Sequence, residues 1–124
     1  VSSHFKDQVV YEEAGEPLVA GVTLGRGSTN CEESFRILVE ESPLERINIE
    51  VCYDYRAPFR RPIGPDSHPD SEAFRLVEGP HDPRFIAPPL ARRTPDEDQK
   101  IVAWQDDAVR ASVRFVKELN ANLT

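Results

Sequence analysis

Methionine is absent from this chain, tryptophan occurs once, and only two cysteines and three histidines are found among 124 residues. Each shortage narrows the answer. With two cysteines, Cys31 and Cys52, the core has to carry the fold, and a chain of this length buries enough surface to do so without disulfides or metals. Nowhere does an apolar run approach the roughly 20 residues that span a bilayer, and the opening VSSHFKDQ has no apolar signal-peptide core. The expectation is a soluble chain without a membrane partner. Basic residues number 15 against 22 acidic ones, a net charge of -7, so there is no general surplus of Lys and Arg to meet a phosphate backbone, and no nucleic-acid partner is expected. Internal repeats, heptads and low-complexity tracts are missing too.

What remains is the composition of a folded chain, 39% hydrophobic and 30% charged, read as one domain over 1–124. In VVYEEAGEPLVAGVTLG, β-branched residues flank Ala14-Gly15-Glu16-Pro17, and Leu18, Ala20, Val22 and Leu24 alternate onto one face. That is a hairpin, with Pro17 at a strand start or edge because it cannot donate to a ladder. GRGSTN follows as a loop, and the Thr29/Glu32 spacing of a capping box predicts a helix over 30–41 with Phe35, Leu38 and Val39 as its apolar stripe. Ser42-Pro43-Leu44-Glu45 repeats the cap pattern and predicts a short helical piece. INIEVCYDY alternates Ile47, Ile49, Val51, Tyr53 and Tyr55 against polar positions, as a half-buried strand does.

Residues 56–95 hold nine of the eleven prolines, so 56–94 is predicted to be an irregular segment in which only AFRLVE, 73–78, is free to form a strand. Regularity returns at Thr94-Pro95-Asp96-Glu97, where an N-cap, a first-turn proline and a capping-box glutamate predict a long helix to about Asn120. Its apolar stripe runs through Ile101, Val102, Gln105, Ala108, Val109, Ser112, Val116 and Leu119 at three- and four-residue steps, with Trp104 and Phe115 widening it. The elements add up to an α+β fold: a small antiparallel sheet, made of the hairpin, a central strand and one more, packed against a short helix and a long C-terminal helix.

Four constellations bear on function. Asp66, His68, Asp70 and Glu72 occupy alternate positions, and His81-Asp82 follows; carboxylates with imidazole suit a divalent metal or acid/base work, though turn residues produce the same pattern. The candidate metal set is therefore Asp66, His68, Asp70 and His81, with Glu50 or Asp54 as orienting carboxylates. GRGSTN before a helix offers backbone N–H groups and Arg26 to an anion, but it lacks the Lys-Ser/Thr of a P-loop. Cys31, in a first helical turn, is a nucleophile only if its pKa is depressed; two free thiols in a reducing compartment are the expectation. Finally, Tyr55, Phe59, Arg60, Arg61, Phe85 and Ile86, in or next to the Pro-rich segment, are the expected partner contacts, being of the aromatic, Arg and apolar types that dominate interface energetics.

The functional expectation is a non-enzymatic module that binds a protein partner through 56–94, with no cofactor. The alternatives are a small hydrolase or lyase using His68 or His81, and a small-molecule carrier with a pocket between sheet and long helix. A cytoplasmic location is expected, or a secreted one if a signal peptide was removed ahead of Val1.

Overall fold

The computed structural model describes residues 1–51, 56–60, 64, 66, 70–78 and 93–123. The fold is α+β. Strand β2 (Asp7–Glu13) and β3 (Glu16–Val22) pair antiparallel in the register Asp7↔Val22 to Glu13↔Glu16, so the connection is the two residues Ala14 and Gly15. Both have positive φ, 52° and 81°, the turn whose twist matches a right-handed hairpin. Val9, Tyr11, Ala20 and Val22 form one buried cluster with Leu18 and Val77 packed on it. Val10, adjacent to two of them, projects to the opposite face and is among the most buried side chains of all. A central strand covered on both faces reads as a continuous apolar run, which is why VVY does not alternate.

The sheet is mixed, which corrects the antiparallel expectation. Strand β1 (Ser2–Phe5), separated from β2 by Lys6 alone, pairs parallel with β4 (Arg46–Ile49) as a two-stranded sheet. Helix α1 (Cys31–Glu40) lies between the hairpin and β4 in the chain and supplies the long crossover that parallel strands require. The other sheet has the order β5-β3-β2-β6. Here β5 (Arg56–Pro58) pairs antiparallel with β3, and β6 (Leu76–Val77) pairs parallel with β2. The strand expected over 47–55 is thus ordered as β4 at its start and pairs with the N-terminal strand rather than with the hairpin; Cys52 to Tyr55 lie outside the described residues. The expected strand over 73–78 shrinks to two residues, because Glu72–Phe74 form a 3-10 turn capped by the Ser71 hydroxyl. No helical piece forms at 42–45: Ser42 donates its hydroxyl to the Leu38 carbonyl and the chain runs straight into β4.

One side chain organises the passage from hairpin to α1. Asp7, 2% exposed, accepts hydrogen bonds from the N–H groups of Gln8 (2.9 Å), Gly25 (3.0 Å), Gly27 (2.7 Å) and Thr29 (3.3 Å) and from the Thr29 hydroxyl (2.6 Å). Two of these donors are glycines for steric reasons. A Cβ on Gly27 would collide with the Asp7 carboxylate and the Gln8 carbonyl, and one on Gly25, at φ +84°, would meet the Phe115 ring at 2.7 Å. Since Thr29 is drawn to Asp7, the cap of α1 falls to Asn30, whose side chain accepts from the Glu33 N–H at 3.3 Å. The predicted Thr29/Glu32 box does not form.

Helix α2 (Pro95–Leu123) begins as the sequence predicts, with the Thr94 N–H donating to the Glu97 carboxylate and the Glu97 N–H donating to the Thr94 hydroxyl. At 1.5 Å per residue it is about 43 Å long. Ala108, Ser112 and Leu119 of the predicted stripe are buried together with Trp104, whereas Val102 and Val109, expected within the stripe, are exposed because the helix turns its Trp104 side inward. Leu119 joins Phe5, Leu24, Cys31 and Phe35 in one cluster, and Trp104 and Ala108 join Val51 in another; Ile49 packs against both. Of the stripe predicted on α1, Phe35 is buried and Leu38 half-buried, but Val39 faces outward and Cys31 takes the inward place.

Two substitutions test this framework. Asp7→Ala leaves three loop N–H groups and the Thr29 hydroxyl without their acceptor, and should lower unfolding stability by about 2–4 kcal/mol in urea denaturation. Thr94→Ala removes one half of the α2 capping box and should cost about 1 kcal/mol in the same measurement.

Candidate functional site

The alternating acidic and histidine stretch is not an extended ligand strand where it is described. Asp66, Asp70 and Glu72 are exposed, and Glu72 opens the 3-10 turn, where its carboxylate pairs with Arg75 at 3.2 Å. His68 and His81 lie outside the described residues, as do Asp54 and Asp82. Among the described residues no three His, Cys, Asp or Glu side chains gather to hold a metal ion.

Glu50, expected as an orienting carboxylate for one of those histidines, meets His4 and Lys6. Parallel pairing in the register Phe5↔Ile49 places it beside the N-terminal strand, where one carboxylate oxygen lies 2.5 Å from His4 Nδ1 and the other accepts from Lys6 Nζ at 3.0 Å. His4 and Lys6 are largely exposed and Glu50 half-buried. This His–carboxylate pair is absent from the sequence reading because 46 residues separate its members and only strand register joins them.

The GRGSTN loop turns out to be an anion cradle already filled by the chain itself. The N–H groups of Gly25, Gly27 and Thr29, which an external anion would use, converge on the Asp7 carboxylate. Nothing in the sequence pattern of the loop tells an internal anion from an external one; the clue is a lone Asp opening an apolar strand, at Lys6-Asp7-Gln8-Val9. Cys31 sits close by, with its sulfur 3.5 Å from the Thr29 hydroxyl. Burial pushes its thiol pKa up, and the nearby Asp7 carboxylate adds to this, outweighing the hydrogen bond from Thr29 that acts the other way. It is a free, buried thiol in the protonated form, the opposite of an activated nucleophile.

Of the six residues predicted to touch a partner, Phe59 and Arg60 are described, and Tyr55, Arg61, Phe85 and Ile86 are not. Phe59 is half-buried. Its N–H donates to the Pro17 carbonyl at 2.9 Å, and its ring lies against that of Phe74 with centroids 5.7 Å apart. Strand alternation sends Phe59 to the same face as Val10. Arg60, the next residue, is exposed.

For Cys31 the direction of the shift sets the expected behaviour. Its folded pKa stands above that of the unfolded chain, so the unfolded chain loses the proton first as pH rises, and this thiol's stabilising contribution is complete below the ordinary thiol pKa and declines above it. Alkylation by iodoacetamide at mildly alkaline pH, read by peptide mapping, should leave Cys31 unmodified in the folded chain and modify it readily in urea. Comparison with known proteins gives no relative from which to extend these observations: no family model, no curated protein and no solved structure matches this chain.

Proposed function

We propose that this chain is a non-enzymatic binding module that presents its Pro-rich segment, residues 56–94, to a protein partner. The reading rests on how that segment is fastened. Its first residues form β5 on one edge of the four-stranded sheet, and β6 lies on the other edge. Between them, Phe59 and Phe74 meet and close the intervening stretch at its base. A stretch of chain held at both ends loses less entropy on binding than a free tail would, and prolines within it reduce that cost further.

Side chains beyond the clamp are polar and exposed where described: Arg60 directly after Phe59, then Asp66 and Asp70. Arg60 carries a planar, multi-donor head suited to a carboxylate or a backbone carbonyl on a partner, and with Arg61 it concentrates positive charge on an acidic chain. Tyr55, Phe85 and Ile86 complete the proposed contact set as its apolar anchors.

A photo-crosslinking residue placed at position 60 should trap a discrete protein in cells that make the chain, and a synthetic peptide spanning 56–94 should compete it away. The same probe at Lys117, on the exposed side of α2, serves as control. Equal trapping at both positions, or no competition by the peptide, would end this reading.

A further inference from the structure

A groove of about 250 Å³ lies between the loop after β3 and the middle of α2. It exists because its helical floor is made of alanines, Ala108 and Ala111, where longer side chains would fill the space; Thr23 supplies the opposing wall. Around this floor stand three guanidinium groups: Arg26 from the loop, and Arg110 and Arg114 one turn apart on α2. The placement of Arg26 follows from the fold already described. Its N–H is turned back onto the Thr23 carbonyl at 3.1 Å, and its neighbours Gly25 and Gly27 are held by Asp7.

The charges do not cancel. Asp107 lines the groove as well, and Asp106, outside the lining, takes the Arg110 Nε at 2.7 Å. Counting both carboxylates, a surplus of one positive charge remains. Arg26 and Arg114 have no carboxylate partner among the described residues, and Arg110 commits only its Nε. On a chain of net charge -7, three convergent arginines over a concave floor are a local inversion of sign. Like charges one turn apart on a helix repel each other, and that cost is relieved by an anion seated between them.

We propose that this groove binds a compact phosphomonoester, with Arg26 and Arg114 as the principal phosphate ligands and Arg110 as a third donor. The three oxygens of a phosphate accept from several planar guanidinium groups at once, which a single carboxylate does less well. The volume, just below the usual range of small-molecule pockets, suits a phosphate with a few attached atoms. Polynucleotides are disfavoured by the overall charge. The groove uses the loop and α2 rather than the Pro-rich segment, so this inference stands or falls separately from the partner-binding proposal.

Calorimetric titration of the full chain at low ionic strength tests it, with glycerol phosphate, inorganic phosphate and acetate as three probes. Glycerol phosphate should bind saturably at one site with Kd near or below about 1 mM. Arg26→Gln and Arg114→Gln, both exposed and outside the core, should each weaken it about tenfold or more with the thermal midpoint unchanged; Lys117→Gln, a charge loss away from the groove, should have no effect. Equal affinity for inorganic phosphate would reassign the site to the free ion, and equal affinity for acetate would remove its phosphate selectivity; either overturns the proposal. So would an absence of saturation, or an equal loss in the Lys117 variant, which would mark the attraction as diffuse.

Discussion

The Asp7 carboxylate is the point on which the connections of this structure turn. It sits at the very start of the central strand, is almost wholly buried, and receives five donors from the strand itself and from the loop between β3 and α1. A buried carboxylate is tolerable only when its oxygens are saturated in this way. In exchange the loop loses its freedom. Gly25 is brought against Phe115, the Leu24 N–H donates to the buried Ser112 hydroxyl on α2 at 3.2 Å, and the chain arrives at Asn30 in the left-handed conformation that caps α1. One polar cluster thereby ties the hairpin, the first helix and the last helix together.

Around that tie the apolar contacts fall into three groups, two of them joined by a shared residue. Ile49 packs against both the Phe5–Phe35–Leu119 cluster and the Val51–Trp104–Ala108 cluster, so the end of β4 links two successive stretches of α2. The Gln105 side-chain amide donates to the Val51 carbonyl and extends the same seam with a polar contact. The hairpin cluster of Val9, Tyr11, Ala20 and Val22 is separate. Surface charge adds little stability by comparison. Arg36 is clasped by Glu33, Glu40 and Glu41 on the exposed side of α1, an arrangement that orders side chains more than it stabilises the fold.

Two regions outside the core carry the functional readings, for different physical reasons. Residues 56–58 and 76–77 of the Pro-rich segment lie on opposite edges of one sheet and Phe59 meets Phe74 between them, which is the geometry the partner-binding proposal rests on. The arginine groove, by contrast, is a consequence of the Asp7 cluster: the same hydrogen bonds that fix Gly25 and Gly27 hold Arg26 over the alanine floor of α2. The loop's amides serve an internal anion, and its side chain is left for an external one.

Legibility in the sequence tracked locality. The β2–β3 hairpin was readable because alternation acts within a few residues, though its turn was placed over Ala14-Gly15-Glu16-Pro17 and closes at Ala14-Gly15, and the start of α2 was readable because Thr94 and Glu97 satisfy each other's backbone across one turn. Of the stripe on α2, Ala108, Ser112 and Leu119 were readable for the same reason, while Val102 and Val109 were placed inward and lie exposed. Three residues short of its observed end, the predicted helix stopped at Asn120, since no breaker marks that end. The functional site was less legible: exposed Asp66 and Asp70 fit the turn reading, while Glu50 and Arg26 were noticed without the partners that give them meaning.

By itself, then, the sequence determined what short-range forces decide: which stretches are strand or helix, where two of them begin, and which faces turn inward. Tertiary structure alone decided the parallel pairing of β1 with β4, the meeting of His4 with Glu50, the diversion of Thr29 from a helix cap to Asp7, and the convergence of Arg26 with Arg110 and Arg114. Each of these joins residues far apart in the chain, and their proximity depends on strand register and helix docking. Those are set by the burial of the whole core and leave no periodic trace in any one segment.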